Sequence, residues 1–533
     1  MKKEKRWTRL NNIVIGLMIM TSTIFAADIS AKNAEKFRLS REAMANNPFR
    51  PLYHFSSPIE KLHDPGGFCE WNGKYHLFYI GKGGKGHAVS DDMVHWKDLD
   101  SIPELKGMTG QMITTENEAL MTFYGGSDGG PGVQLATSKD PLLLKWEKYT
   151  ALPRSVLGGY QQPIDSCIWE EDDEFFIGVR KHKWDKGLYH LYADKPELTV
   201  FRSRDLKSWE FDGLLLREDN YTQPGDDLAC PNFLPIGQGR RLLLWFNHPR
   251  GAMYLIGTYD KEKEGQKFVP EYHGRMSYGP VLLGTLHAPS SFVDSKNRYF
   301  TVFNVSENRS HSGRWIGTMS LPRQISLNKD YLVNPTSKNP PLLRNFFSPL
   351  RIDPPAAMEK LRFNPVKVSA MDIPANDEIV ISDVKGKAIE IKAVIDPMKA
   401  REVGLSVLRS PDGKEQTTIR LYMNGWGRNI NARYLSIDLS KSSLAPDVKA
   451  RIPEMGPLYL EKGEPLRLRV FIDRSIIEVF ANDRQCLTIR VYPARDDSTQ
   501  VSVFARGSKA KLLSLNGWQM RSIWPELKHW EGK

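Results

Sequence analysis

SDDMVHW, at Ser90–Trp96, governs the reading of this chain because it returns twice, as SKDPLLLKW at Ser138–Trp146 and SRDLKSW at Ser203–Trp209. Each copy has Ser-x-Asp, a short insert and a Trp, and Asp92, Asp140 and Asp205 are spaced by 48 and 65 positions. Asp and Ser side chains accept backbone N–H bonds in tight turns, so the cluster reads as a turn device rather than a ligand site. Around it, KYHLFYI (Lys74–Ile80), EFFIGV (Glu174–Val179), RRLLLWF (Arg240–Phe246) and RYFTVFNV (Arg298–Val305) read as strands, with no helical period between them. Strand-built repeats of this size predict propeller blades.

After GTMSLPRQISL (Gly317–Leu327) the chain passes through NPTSKNPPLL and SPLRIDPPAAM, a Pro-rich connector. Beyond Met358 the pattern changes. AIEIKAVI, LRLRVFIDRSIIEVF, LTIRVYP and TQVSVFA alternate with period two, and SPDGK (Ser410–Lys414) marks a hairpin, which predicts an all-β sandwich without repeats. The expected organisation is an export signal over 1–27, a propeller over 45–335, a linker over 336–358 and a sandwich over 359–525. A length of 533 residues fits several domains, and 40% hydrophobic with 26% charged residues is globular rather than disordered.

The first residues stand apart. A basic head (Lys2, Lys3, Lys5, Arg6, Arg9) precedes the apolar IVIGLMIMTSTIFAA, and Ala26 and Ala27 offer a cleavage site. The apolar run falls short of the roughly 20 residues of a membrane span. A soluble, extracytoplasmic mature protein is expected, with periplasm, surface and medium left open. Removing 1–27 takes five cationic residues and one acid away, lowering the formal charge from +11 to +7. No dense Lys/Arg block or aromatic-interleaved basic patch is present, so no nucleic-acid partner is expected. Cys69, Cys167, Cys230 and Cys486 lack CxxC spacing, so neither metal nor redox centre is indicated, and their pairing stays open.

Three segments place an Asp beside strand-like sequence: KLHDPGGFCEWNGKYHLFYI (Lys61–Ile80), QQPIDSCIWEEDDEF (Gln161–Phe175) and GDDLACPNFLPIG (Gly225–Gly237). The inner strand of each blade lines one funnel, where acids far apart in sequence converge. Glycosidic cleavage with retention needs a nucleophilic carboxylate and a proton donor about 5–5.5 Å apart.

Here the chain resembles glycoside hydrolase family 32, the invertases, levanases and inulinases, over roughly residues 48 to 523. GHAVSDDMVHW, GTMSLPRQISL and LRVFIDRSIIEVFANDRQCLTIRVYP are close to the family's wording. LHDPGG resembles its N-D-P-N-G segment, PIDS its R-D-P, LACP its E-C-P, HAPSSF its aromatic-Ala-Pro and MTGQM (Met108–Met112) its Ser-Gly-Ser stretch. The resemblance implies a five-bladed propeller followed by a C-terminal β-sandwich, and retaining hydrolysis of β-fructosides in sucrose, inulin or levan without a cofactor. Residue by residue, it implies Asp64 as nucleophile and Asp165 as the carboxylate holding sugar hydroxyls. His63 stands where the family has Asn, Gly66 follows the Pro, Ile164 replaces an Arg, and Ala229 occupies the place of the acid/base Glu.

A methyl group donates no proton. On a regular strand residues two apart share a face, so Asp227 becomes the expected donor, with Asp226 second if a bulge shifts the register. Trp71, Trp169 and Trp315 are candidate sugar platforms, Trp315 foremost. Three alternatives stay open: a related furanosidase acting on another sugar, a fructosyl-transfer enzyme, and a carbohydrate-binding protein with an impaired centre. Oligomeric state and endo or exo action are not legible.

Overall fold

The computed structural model describes residues 31–59, 61–81, 84–124, 132–157, 165–181, 197–216, 222, 226, 228–248, 250–278, 284–309, 316–328, 349–423 and 432–524. The expected signal segment, Ile164, Asp227, Trp315 and much of the Pro-rich connector lie outside them. Among the described residues, no helix is long and apolar enough to cross a membrane.

After helix α1 (Ala31–Ala45), five antiparallel sheets follow in chain order. The first holds β1 (Leu62–Trp71), β2 (Lys74–Gly81), β3 (Gly84–Ser90) and β4 (Trp96–Ile102). The second holds β5 (Met108–Thr114), β6 (Ala119–Tyr124), β7 (Gly132–Ser138) and β8 (Glu147–Pro153). The third holds β9 (Ser166–Glu171), β10 (Glu174–Lys181), β11 (Glu197–Ser203) and β12 (Glu210–Leu216). The fourth holds β13 (Ala229–Gly237), β14 (Arg240–Asn247), β15 (Gly251–Tyr259) and β16 (Phe268–Arg275). The fifth holds β17 (Leu286–Val293), β18 (Tyr299–Val305), β19 (Thr318–Met319), β20 (Arg323–Leu327) and β21 (Leu350–Asp353).

The first strand of each sheet packs against those of its neighbours in a circle: β1 on β5, β5 on β9, β9 on β13, β13 on β17, and β17 on β1. The chain therefore forms a five-bladed propeller. Strands near the axis are buried along their length, as in RRLLLWFN of β14 and YFTVFNV of β18. The outer β16 instead starts with buried Phe268 and then alternates exposed and half-buried residues, as a strand with one wet face should. Polar side chains stitch the inner strands together. Gln111 Oε1 accepts from the Phe233 backbone, and Asn232 donates to the Cys230 and Pro289 carbonyls while accepting from Ser291.

The repeated Ser-x-Asp cluster is the turn device its composition predicts. Asp92 Oδ1 accepts from Val94 and His95, Asp140 Oδ1 from Leu142 and Leu144, and Asp205 Oδ1 from Lys207 and Ser208. Met93, Leu143 and Leu206 take left-handed φ of 62°, 56° and 62°, a cost the three capped turns share.

Two sheets form the sandwich. One contains β22 (Arg362–Val368), β23 (Met371–Ile373), β25 (Ala388–Asp396), β30 (Leu466–Asp473), β31 (Ile476–Ala481), β32 (Gln485–Arg490) and β34 (Ala510–Met520). The other contains β24 (Asp377–Lys385), β26 (Glu402–Arg409), β27 (Thr417–Tyr422), β28 (Ala432–Asp438), β29 (Glu454–Tyr459) and β33 (Gln500–Arg506). Their inner faces share a core of Ile, Leu and Val. Phe471, Ile476, Phe480 and Met520 instead join the propeller's core, so the seam between the two units is apolar and continuous.

Two buried ion pairs lie at that seam. Arg323 reaches Glu478 at 3.2 Å, and Arg490 reaches Glu307 at 2.9 Å. Asp473 accepts from the backbone of Leu52, Tyr53 and His54. The four cysteines are free thiols: Cys69, Cys167 and Cys486 are buried and Cys230 half-buried.

Candidate active site

The five inner strands each open a blade, so their N-terminal ends gather at one mouth of the axis. The first, β1, is irregular there. Its pairing with β2 slips between Leu62 and Pro65 and again between Pro65 and Gly67, which leaves Gly66 as the extra residue of a bulge. Bulges re-aim side chains, and the first of these irregularities contains His63 and Asp64. Pro65 restricts the Asp64 backbone to extended conformations.

Asp64 is 7% exposed, and one oxygen receives every donor that reaches it. His63 Nδ1 and His287 Nδ1 each lie 2.9 Å from Oδ1, and Asn304 Nδ2 lies 3.1 Å away. His287 and Asn304 are cross-strand partners on β17 and β18, and His287 Nδ1 also meets Asn304 Oδ1 at 2.9 Å. Among the described residues, no donor reaches Oδ2. Burial alone would raise the Asp64 carboxyl, but the two imidazoles hold it well below the ordinary carboxylate range. The hydrogen bond to Asp64 in turn raises His63 above an ordinary histidine, against partial burial.

His63, Asp64 and His287 place their ligand-type atoms within 4.8 Å of one another, a spacing that could suit a divalent cation. A carboxylate only accepts, however, so both imidazole nitrogens facing Asp64 carry hydrogens. As it stands, the cluster sets two imidazoles and an amide on one carboxylate oxygen.

Asp165 lies just before β9, at the same mouth, and is 3% exposed. Its φ of 60° is left-handed, a strain that a non-glycine residue bears when its surroundings fix it. Arg180 of β10 donates its backbone N–H to the Asp165 carbonyl at 3.4 Å and brings Nη1 to 3.7 Å from Oδ2. A guanidinium thus faces Asp165, although from β10 rather than from position 164. Cys230 Sγ lies 3.9 Å from the other Asp165 oxygen, which ties β13 to this corner.

At β13 the premise of a regular strand fails. Leu228 and Cys230 have φ of 41° and 49°, and the pairing with β14 slips between Ala229 and Asn232. Simple alternation therefore does not decide which acid shares the face of Ala229. Ala229 is buried opposite Phe246. Asp226 is buried and engaged: Asn247 Nδ2 donates to it at 2.5 Å, and Arg250 grips both its oxygens, Nε lying 2.8 Å from Oδ1. Asp226 therefore accepts from both Asn247 and Arg250. Asp227 and Trp315 fall outside the described residues.

The structure does not bring the other two tryptophans to the site. Trp71 ends β1, at the far end from Asp64, and its indole donates to the Asp140 carbonyl at 2.9 Å. Trp169 is 1% exposed, stacked on Phe176 and edge-on to Phe233.

Sequence reasoning missed His287, Asn304, Arg180, His248 and Lys85. The first two had a signal, a His opening HAPSSF and a lone Asn inside the apolar RYFTVFNV. Lys85 of β3 is buried with its ammonium 5.5 Å from the Phe123 ring centre, and burial brings it down to about 7 although Asp64 works the other way.

Residues 54–335 match the Glycosyl hydrolases family 32 N-terminal domain, and residues 357–519 match the Glycosyl hydrolases family 32 C-terminal domain. A fructan 1-exohydrolase of Bromus pictus is 26% identical, across 91% of this chain and 87% of its own length. A levanase of Bacillus subtilis is 25% identical, across 96% of this chain and 75% of its own. Fructan 1-exohydrolase IIa from Cichorium intybus shares the fold with a TM-score of 0.73 at 22% identity, across 89% of this chain and 98% of that one.

Proposed function

The chain belongs to glycoside hydrolase family 32 and is a glycosidase of the β-fructosidase type, and from that premise we propose that it is an exported enzyme releasing terminal fructofuranosyl units from sucrose or fructans with retention. The observation that carries this reading is the state of Asp64. Three donors hold Oδ1, and the two imidazoles favour the ionised group against its burial. In the first step Oδ2 attacks the anomeric carbon as the bond to the leaving oxygen breaks, giving a fructosyl ester. In the second, water attacks that carbon and the ester bond returns its electrons to Asp64. Asp165, steadied by Arg180, accepts hydrogen bonds from sugar hydroxyls. The relatives that carry fructan exohydrolase and levanase activities by name support the fructan class.

Purified protein incubated with sucrose, inulin and levan should release fructose whose first-formed anomer, followed by NMR, keeps the β configuration. Asp64→Asn should abolish release. Fructose released unimpaired by that variant would end the nucleophile assignment, and an α anomer would end retention. Ala229 favours a second reading, a sugar-binding protein with an impaired centre. It would appear as calorimetric binding of fructans without turnover.

A further inference from the structure

With Ala229 at the family's acid position and Asp226 gripped by Arg250, the leaving oxygen still needs a proton. We propose that His248 is the proton donor of this site, an assignment that rests on the fructosidase reading and deepens it. Ala229 pairs with Phe246 across β13 and β14, so a group replacing the lost carboxylate must lie close to that ring. Two imidazoles pack against Phe246, His287 at 4.3 Å and His248 at 4.6 Å between ring centres. His287 is committed to Asp64 and Asn304.

His248 is one imidazole further from the nucleophile, its ring centre 5.7 Å from that of His287. It follows the last residue of β14, directly beyond the Ala229–Phe246 pair, and is half-buried, so a sugar oxygen can approach it. Three rings thus lead from the nucleophile to the vacant acid position: His63, His287 and His248, with the first two 5.4 Å apart.

An imidazole changes charge near neutrality and can serve as acid and then base. In the first step a ring N–H of the His248 imidazolium gives its proton to the glycosidic oxygen. The anomeric C–O bond breaks onto that oxygen while Asp64 Oδ2 forms the ester. In the second step the neutral ring takes a proton from the attacking water, whose oxygen displaces Asp64. His248 ends protonated, and atoms and charge balance over the cycle.

Leaving groups differ in their need for that proton, which makes the assignment testable. His248→Ala and His248→Gln would be assayed beside Asp227→Asn on sucrose and on p-nitrophenyl β-D-fructofuranoside, with and without azide. A general acid contributes roughly 10²–10⁴-fold. The His248 variants should lose about that factor in kcat/KM on sucrose while hydrolysing the nitrophenyl substrate nearly as wild type, which also certifies their fold. Azide should speed their turnover and yield β-fructosyl azide, and Asp227→Asn should behave as wild type. The same pattern in Asp227→Asn, with His248 variants unimpaired on sucrose, overturns the assignment alone. A wild type inert on both substrates overturns the assignment and the fructosidase reading together.

Discussion

Asp473→Asn changes one atom at the seam between propeller and sandwich, and its cost can be worked from the contacts. The carboxylate is fully buried. Oδ1 accepts from Leu52 N at 2.7 Å, and Oδ2 accepts from Tyr53 N, His54 N and His54 Nδ1 at 2.8, 2.9 and 2.9 Å. An amide placed there does least harm with its nitrogen at the Oδ1 position. Leu52 N–H then faces an N–H group, and an unpaired buried donor costs about 1–3 kcal/mol. The other three bonds lose the charge that made each worth about 1.5–3 rather than 0.5–1.5 kcal/mol. These terms are not additive, and breaking a buried pair costs about 3–5 kcal/mol, which we take as the expected loss. For a domain of this size that lowers the thermal midpoint by about 10 °C. Differential scanning calorimetry reads the shift directly, and activity below the transition should remain. A midpoint within about 2 °C of wild type would refute the claim that Asp473 fastens the N-terminal segment to the sandwich.

Gly110→Ala should be destabilising by about 1–3 kcal/mol in urea unfolding, because a Cβ there would lie 2.0 Å from the Ser166 carbonyl oxygen and 2.4 Å from Thr122 Oγ1. His54 is fully buried, which lowers it, yet Asp473 and Glu478 more than reverse this and raise it above an ordinary histidine. Its contribution to stability is therefore full below the unfolded value of about 6.5 and lost as pH rises through the folded value. Thermal midpoints should fall on the alkaline side in wild type, with a smaller slope in Asp473→Asn. Arg180→Met removes the cation facing Asp165 and should reduce kcat/KM about tenfold, the kinetic equivalent of about 1.4 kcal/mol. Unchanged kinetics would separate Arg180 from the sugar-binding role of Asp165.

Much of the fold was legible because its signals are local. Ser-x-Asp clusters carry their own hydrogen-bond partners within a few residues, so the blade turns can be read from the chain alone. The change from repeated strands to unrepeated alternation after Met358 likewise marks the second unit. Asp64 and Asp165 were singled out through the family's wording, in LHDPGG and PIDS. His287 and Asn304 were not, because their meaning lies in a cross-strand pair 223 and 240 positions from Asp64. Trp71 misled because an aromatic near Asp64 in sequence stands a strand's length away in space.

By itself the sequence determined the blades and the sandwich, since strand period and turn chemistry act over a few residues, and through the family's wording it pointed to the carboxylates of Asp64 and Asp165. Only the tertiary structure decided what surrounds those carboxylates. Closing the propeller brings residues from different blades onto one axis. There His287 and Asn304 converge on Asp64 Oδ1, Arg180 faces Asp165, and Arg250 grips Asp226. Left-handed residues at Leu228 and Cys230 break the alternation from which a displaced acid would be read. Period-two reasoning holds only while the backbone stays extended, and at the mouth of this funnel it does not.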